Sequence, residues 1–182
     1  MKQKTALRAI LLALIVLALL AVDLITKHIA EANAFHQSTY FLGLVRLNFV
    51  KNTGIAYGLF SDSKVGMLVI TVLTIVEIVA IPAVAFTLLK GNFPAQITLA
   101  VIESGAIGNL VDRLALSYVR DFIDIAPMGF GVCNIADFCI TLGAVALVII
   151  ILFVGPTAIF PLKKEWREEA KRREQEAENG EA

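Results

Sequence analysis

The chain has 182 residues, 58% of them hydrophobic and 18% charged, with a formal net charge of zero. A mean hydropathy of +0.78 excludes an ordinary soluble domain, the length points to one domain, and the balanced charge gives no reason to expect a nucleic-acid partner. The two histidines, His28 and His36, stand apart, and with only Cys133 and Cys139 beside them there is no metal-ligand spacing; the cysteines read as free, partly buried thiols.

Four segments are apolar and long enough to cross a bilayer, at about 7–27, 65–89, 93–111 and 134–155. The first contains AILLALIVLALLAV behind the basic MKQKTALR, which also suits a secretory signal peptide. No A-x-A site follows and the run meets Asp23, so a retained helix is expected. Between the first two spans, 28–64 holds TYFLGLVRLNFVKNTGIAYGLF, rich in aromatic and β-branched residues and broken by Gly43, Gly54 and Gly58. Short strands are expected there. They should pair among themselves or lie above the hydrocarbon, because an open strand edge cannot face lipid. Pro82 interrupts the second span and Gly105 and Gly108 the third, which surrounding helices make tolerable.

Lysine and arginine set the orientation. Ten lie on one side (Lys2, Lys4, Arg8, Lys90, Lys163, Lys164, Arg167, Lys171, Arg172 and Arg173) and six on the other (Lys27, Arg46, Lys51, Lys64, Arg113 and Arg120). Both termini are therefore expected in the cytoplasm. The expected fold is an all-α polytopic membrane protein: four transmembrane helices and a small extracytoplasmic β unit. Residues 1–162 form the membrane-embedded domain and 163–182 a charged cytoplasmic tail, either a solvated helix or a disordered end.

This topology brings scattered polar residues to one membrane face: Asp23 and Lys27; Asn109, Asp112 and Arg113; Asp121 and Asp124; Asn134 and Asp137. Each group has a structural explanation. Asp23 and Lys27 can form an i,i+4 pair, Asp112 and Arg113 an ion pair at a helix end, Asp121 and Asp124 an exposed loop, and Asn134 with Asp137 a helix cap. Their coincidence on one face favours function, since charges at membrane depth are costly. Glu77 and Glu103 fall mid-span with no evident cation, and they carry the rival expectation of a small proton-coupled transporter.

Five motifs occur in order: DLITK (23–27), NTGIAYG (52–58), GAIGNLVDR (105–113), VRDFID (119–124) and NIAD (134–137). With four spans, this resembles lipoprotein signal peptidase, the type II signal peptidase, over about 21–143. The resemblance implies an aspartyl endopeptidase of the bacterial inner membrane, with a small extracytoplasmic β-cradle, that cuts prolipoproteins before a diacylglyceryl-modified cysteine. Asp121 and Asp137 match the catalytic pair. Asn52, Gly54, Asn109, Arg113 and Asn134 match positions that contact substrate or cyclic-peptide inhibitors of the globomycin type. Asp23, Lys27 and Asp112 match supporting polar positions, with Gly105 and Gly108 in the same motif. Departures are Glu103 and Ser104 before Gly105, Cys133 before NIAD, Phe138 after it, and the long charged tail; they bear on pocket shape more than on chemistry. Two adjacent carboxyls would share one proton and activate a water with no cofactor and no metal. Asp112 is the alternative to Asp121. The substrate's lipid tails would lie between helices, in the membrane lipid.

Overall fold

The computed structural model describes residues 2–33, 39–41, 45–54, 63–89, 91–125, 131–155 and 158–180. Gly43, Gly58, His36, Lys90 and the part of the second motif at 55–58 lie outside these residues. In chain order the elements are α1 (Lys2–Ala32), β1 (Thr39–Phe41), β2 (Val45–Asn52), α2 (Lys64–Thr87), α3 (Phe93–Leu116), β3 (Val119–Asp124), β4 (Val132–Cys133), α4 (Ile135–Phe153) and α5 (Lys164–Gly180).

Apolar composition forms the helices, and polar caps end them. Ser63 caps α2 by accepting the Gly66 amide at 3.1 Å, and Asn92 caps α3 by accepting the Ala95 amide at 3.1 Å. Ser117 closes α3 in the left-handed region with φ 63. Pro82 lies within α2 and Gly105 and Gly108 within α3, and both helices run on through them. The tail resolves in favour of a helix, α5, tied by i,i+4 pairs such as Arg173 with Glu169 at 2.6 Å.

Helix α3 is the hub on which α1, α2 and α4 all pack. Small residues allow close approach: a Cβ at Gly105 would collide with the Ala136 carbonyl oxygen on α4, and one at Gly143 would stand 2.7 Å from Ile102 Cγ1. Ile81 and Ala85 of α2 meet Leu99 and Ile102 of α3 in the apolar core. Large apolar side chains instead point outward, among them Leu14, Ile25, Leu68, Val79 and Val145. That inverted pattern suits a lipid surround.

Among the described residues, three helices are long and apolar enough to cross a membrane: Thr5–Ala32, Lys64–Thr87 and Ile135–Phe153, with hydropathies of 2.9, 2.5 and 2.7. The fourth expected span, α3, matches them in length but not in apolarity. It buries Gln96, Thr98, Ser104, Asn109 and Asp112 between its neighbours.

The expectation for the strands needs two corrections. The sheet has four antiparallel strands in the order β1-β2-β3-β4, and two of them come from the α3–α4 connection rather than from 28–64. Asp121 and Asp124 therefore sit on a central strand, not in an exposed loop. Strand β3 has β2 and β4 on its two sides, which closes its edges. The β2–β3 register slips between Leu47 and Val50, so Val50 lies opposite Asp121 and Asn52 opposite Val119. This one-residue irregularity sets which side chains of β2 share a face with Asp121.

Candidate active site

The period of two in β3 splits its polar residues between two faces. Arg120 points toward α1 and α3, and Asp121 toward the start of α4. Asp121 is buried. Its Oδ1 accepts Asn134 Nδ2 at 2.6 Å and its Oδ2 accepts Asn52 Nδ2 at 2.8 Å. Asn52 is itself oriented: its Oδ1 accepts the Gly54 amide at 2.9 Å, which turns the Nδ2 donor toward Asp121.

Asp137 is the third residue of α4 and closes a capping box with Asn134. The Asn134 amide donates to Asp137 Oδ2 at 3.1 Å, and the Asp137 amide donates to Asn134 Oδ1 at 3.0 Å. The capping explanation therefore holds for this pair and does not exhaust it. Asn134 Nδ2 also donates to Asn109 Oδ1 at 3.2 Å, and Asn109 Nδ2 donates to Asp137 Oδ1 at 2.8 Å. Two asparagines thus bridge the two aspartates.

Lys27 fixes the orientation of that bridge. It is fully buried and donates to Asn109 Oδ1 at 2.8 Å, so the Asn109 oxygen must face the ammonium and its nitrogen must face Asp137. The expected Asp23–Lys27 pair forms at 2.8 Å. Asp23 Oδ1 also accepts the Ala136 amide at 2.9 Å, one of the free donors in the first turn of α4. A Cβ at Gly108 would strike Asp23 Oδ2, so glycine makes room for this strut between α1 and α4.

Asp112 does not pair with Arg113. Adjacent helix residues point about 100° apart, and Asp112 turns to Arg120. It accepts the Arg120 amide at 2.9 Å and Nη2 at 2.6 Å, with Lys27 at 3.6 Å. Arg120 continues to Glu31 at 3.3 Å, and Glu31 accepts the Tyr118 hydroxyl at 2.9 Å. The sequence reading did not assign Arg120, Glu31 or Tyr118 to this cluster. The signal in the sequence is a cation, Arg120, directly next to Asp121. Arg113 faces the cavity instead, with its Nε buried and unbonded. Asp124 lies apart from the two aspartates and pairs with Arg46 at 2.6 Å.

A cavity of about 760 Å³ opens beside Asn52, Asn109, Arg113, Asp121 and Asp137. Burial, and next the charge of Asp137, push the Asp121 carboxyl up from 3.8 to about 7, against the hydrogen bonds from Asn52 and Asn134. Burial first, then Asp137 and Asp121, push the Cys133 thiol up to about 12. Cys133 therefore remains a neutral thiol beside the cavity and a poor nucleophile. Both cysteines are free, as expected. Glu77 lines this same cavity, whereas Glu103 lines a separate crevice bounded by α1, α2 and α3. The two acids of the transporter expectation therefore face different cavities.

The signal peptidase II family profile matches residues 15–153. A lipoprotein signal peptidase of Streptococcus pyogenes serotype M2 (strain MGAS10270) is 35% identical over 144 residues, covering 76% of this chain and 91% of that protein. The lipoprotein signal peptidase of S. pyogenes serotype M4 (strain MGAS10750) is 34% identical with the same coverage. Among solved structures, a bacterial membrane enzyme determined by the in meso method at 2.3 Å resolution superimposes with a TM-score of 0.71 at 26% identity, over 78% of this chain and 87% of that one. A second, at 1.9 Å resolution, shares the fold with a TM-score of 0.70. The chain therefore belongs to the signal peptidase II family and is a protease of the bacterial membrane.

Proposed function

We propose that the protein is an aspartyl endopeptidase that removes signal peptides from diacylglyceryl-modified prolipoproteins, cutting before the lipidated cysteine, with Asp121 and Asp137 as the catalytic pair. The observation that carries this reading is their pairing: two carboxyls, Asp121 buried and Asp137 partly buried, bridged by Asn109 and Asn134 beside one cavity, with Asp121 raised to about 7 by burial and in part by the charge of its neighbour.

In the reaction, Asp137 takes a proton from water while the water oxygen bonds to the scissile carbonyl carbon. Asp121 then gives its proton to the leaving nitrogen as the C–N bond breaks, yielding a carboxylic acid and an amine and leaving the water's proton on Asp137. Asn52 and Asn134 hold Asp121, Asn109 and the capping box hold Asp137, and Gly54 sets Asn52. Arg113, with donors facing the cavity, binds the peptide or the developing oxyanion. Asp23, Lys27 and Asp112 brace this arrangement, and Gly105 and Gly108 allow its close packing.

The domain extends over 1–162, followed by the cytoplasmic tail at 163–182. Helix α3, at 24 residues, is about 36 Å long and serves as the fourth span, its polar residues shielded by three apolar helices. Both termini lie in the cytoplasm and the sheet end of the bundle faces outward. The substrate's lipid tails rest among the outward-facing apolar side chains, and globomycin-type cyclic peptides occupy the same cavity as substrate.

The test is mass analysis of a diacylglyceryl-modified prolipoprotein after incubation with the purified protein. The reading expects one cut, on the amino side of the modified cysteine. A cut elsewhere, or equal cutting of unmodified precursor, would contradict it.

A further inference from the structure

The catalytic reading uses only the sheet end of the cavity. Away from the sheet, the cavity continues between α2 and α4 and reaches Glu77. On α2 the residues Ile70, Thr74 and Glu77 line it at i, i+4 and i+7, a single stripe about 10 Å long. On α4, Asp137 and Thr141 are one turn, about 6 Å, apart. Ala106, Ile140 and Leu142 make the remaining wall here apolar. The Thr74 hydroxyl already donates to the Ile70 carbonyl at 2.9 Å. Glu77 has no hydrogen-bond or ion-pair partner among the described residues. A carboxyl within a helix of hydropathy 2.5 and with no partner is costly, and such groups at membrane depth mark substrate paths.

We propose that Glu77 is a specificity-determining contact: its carboxyl accepts a hydrogen bond from a donor-bearing side chain of the signal peptide, at the second to fourth residue before the scissile bond. This rests on the peptidase reading. With the scissile carbonyl at Asp121 and Asp137, the peptide preceding it must leave along the cavity into the bundle. A signal peptide's apolar core suits apolar walls. An extended chain advances about 3.3 Å per residue, so the stripe of about 10 Å from Ile70 to Glu77 corresponds to about three residues, and the second to fourth residues before the cut are the ones that run along it. The other conceivable occupant, an acyl chain, carries no donor and would leave Glu77 unpartnered.

The experiment uses lipidated prolipoprotein peptides carrying Thr or its isostere Val at the second, third or fourth residue before the cut. The quantity read is the Thr/Val ratio of kcat/KM for the wild type, Glu77→Gln and Glu77→Leu. Glu77 is exposed to the cavity, and a hydrogen bond at membrane depth corresponds to a roughly three- to fifteenfold effect. The ratio is therefore expected to fall by that factor in Glu77→Leu at one of the three positions, and to be kept in Glu77→Gln, whose amide oxygen still accepts. An unchanged ratio at all three positions overturns the proposal, including the case where Glu77→Leu instead alters preference for acyl-chain length. A uniform loss on Thr and Val peptides also overturns it, since that marks a structural role. Absence of cleavage by folded wild type sinks the peptidase reading itself, whereas cleavage with no change in ratio sinks only the role of Glu77.

Discussion

Replacing Asp121 with Asn should abolish cleavage yet stabilise the folded protein, and the stabilisation should grow with pH. Asp121 is 2% exposed, and its carboxyl is raised from 3.8 to about 7. A raised acid favours folding only in its protonated form. The penalty is therefore absent below about pH 3.8, grows as pH rises toward 7, and is constant above. At about 1.36 kcal/mol per pH unit, ionised Asp121 costs the folded state about 4 kcal/mol at pH 8 and about 1.5 kcal/mol at pH 5. Asn removes this penalty but cannot accept from both Asn52 and Asn134 through one amide oxygen, which returns about 1 kcal/mol. The expected net gain is about 3 kcal/mol at pH 8 and under about 1 kcal/mol at pH 5, or about 6–12 °C in Tm at the higher pH. Thermal unfolding of wild type and variant in the same detergent at both pH values measures it. A gain that is equal at the two pH values, or larger at pH 5, would refute a raised Asp121 and with it the shared proton.

Three further outcomes follow from the same geometry. Since Asp121 must be protonated to release the amine, kcat is expected to fall about tenfold per unit as pH rises above about 7, measured as a pH–rate profile; a flat profile to pH 9 would oppose that assignment. Asp112→Asn breaks a buried pair and leaves Arg120 and Lys27 undercompensated, so it is expected to cost about 3–5 kcal/mol of stability, read as a loss of Tm in detergent. Gly105→Val drives a side chain into the Ala136 carbonyl and Ile140 of α4, for which about 1–3 kcal/mol of destabilisation is expected by the same readout.

Long apolar runs located four helices, three of them apolar enough to cross a membrane and the fourth, α3, more polar. Predicted span starts and observed helix starts differ by one residue for α2 and α4, and coincide for α3. The motif residues were visible too, although not their partners. Asp23 and Lys27 pair locally, at a spacing that helix geometry dictates, and this was legible. Asp112 looked paired with its neighbour Arg113, but the partner it found, Arg120, became available only when α3 ended at Ser117 and the chain turned back as β3. The short VRDFID stretch looked like a polar loop because its strand character depends on β2 and β4 lying on either side of it. The Asn109 and Asn134 bridge is likewise tertiary: three separate elements meet there, and no local pattern encodes such a junction. Glu77 was conspicuous in sequence as an unpaired acid, yet only the cavity connects it with Asp121 and Asp137.

The most direct measurement is cleavage of a diacylglyceryl-modified prolipoprotein by purified, folded wild type, Asp121→Asn, Asp137→Asn and Asp112→Asn. Loss of turnover by several orders of magnitude in the first two variants, with each still folded, is the expected result. Activity retained in Asp121→Asn or Asp137→Asn would contradict the assignment of these two aspartates as the catalytic pair, and activity lost in folded Asp112→Asn but kept in Asp121→Asn would transfer that role to Asp112.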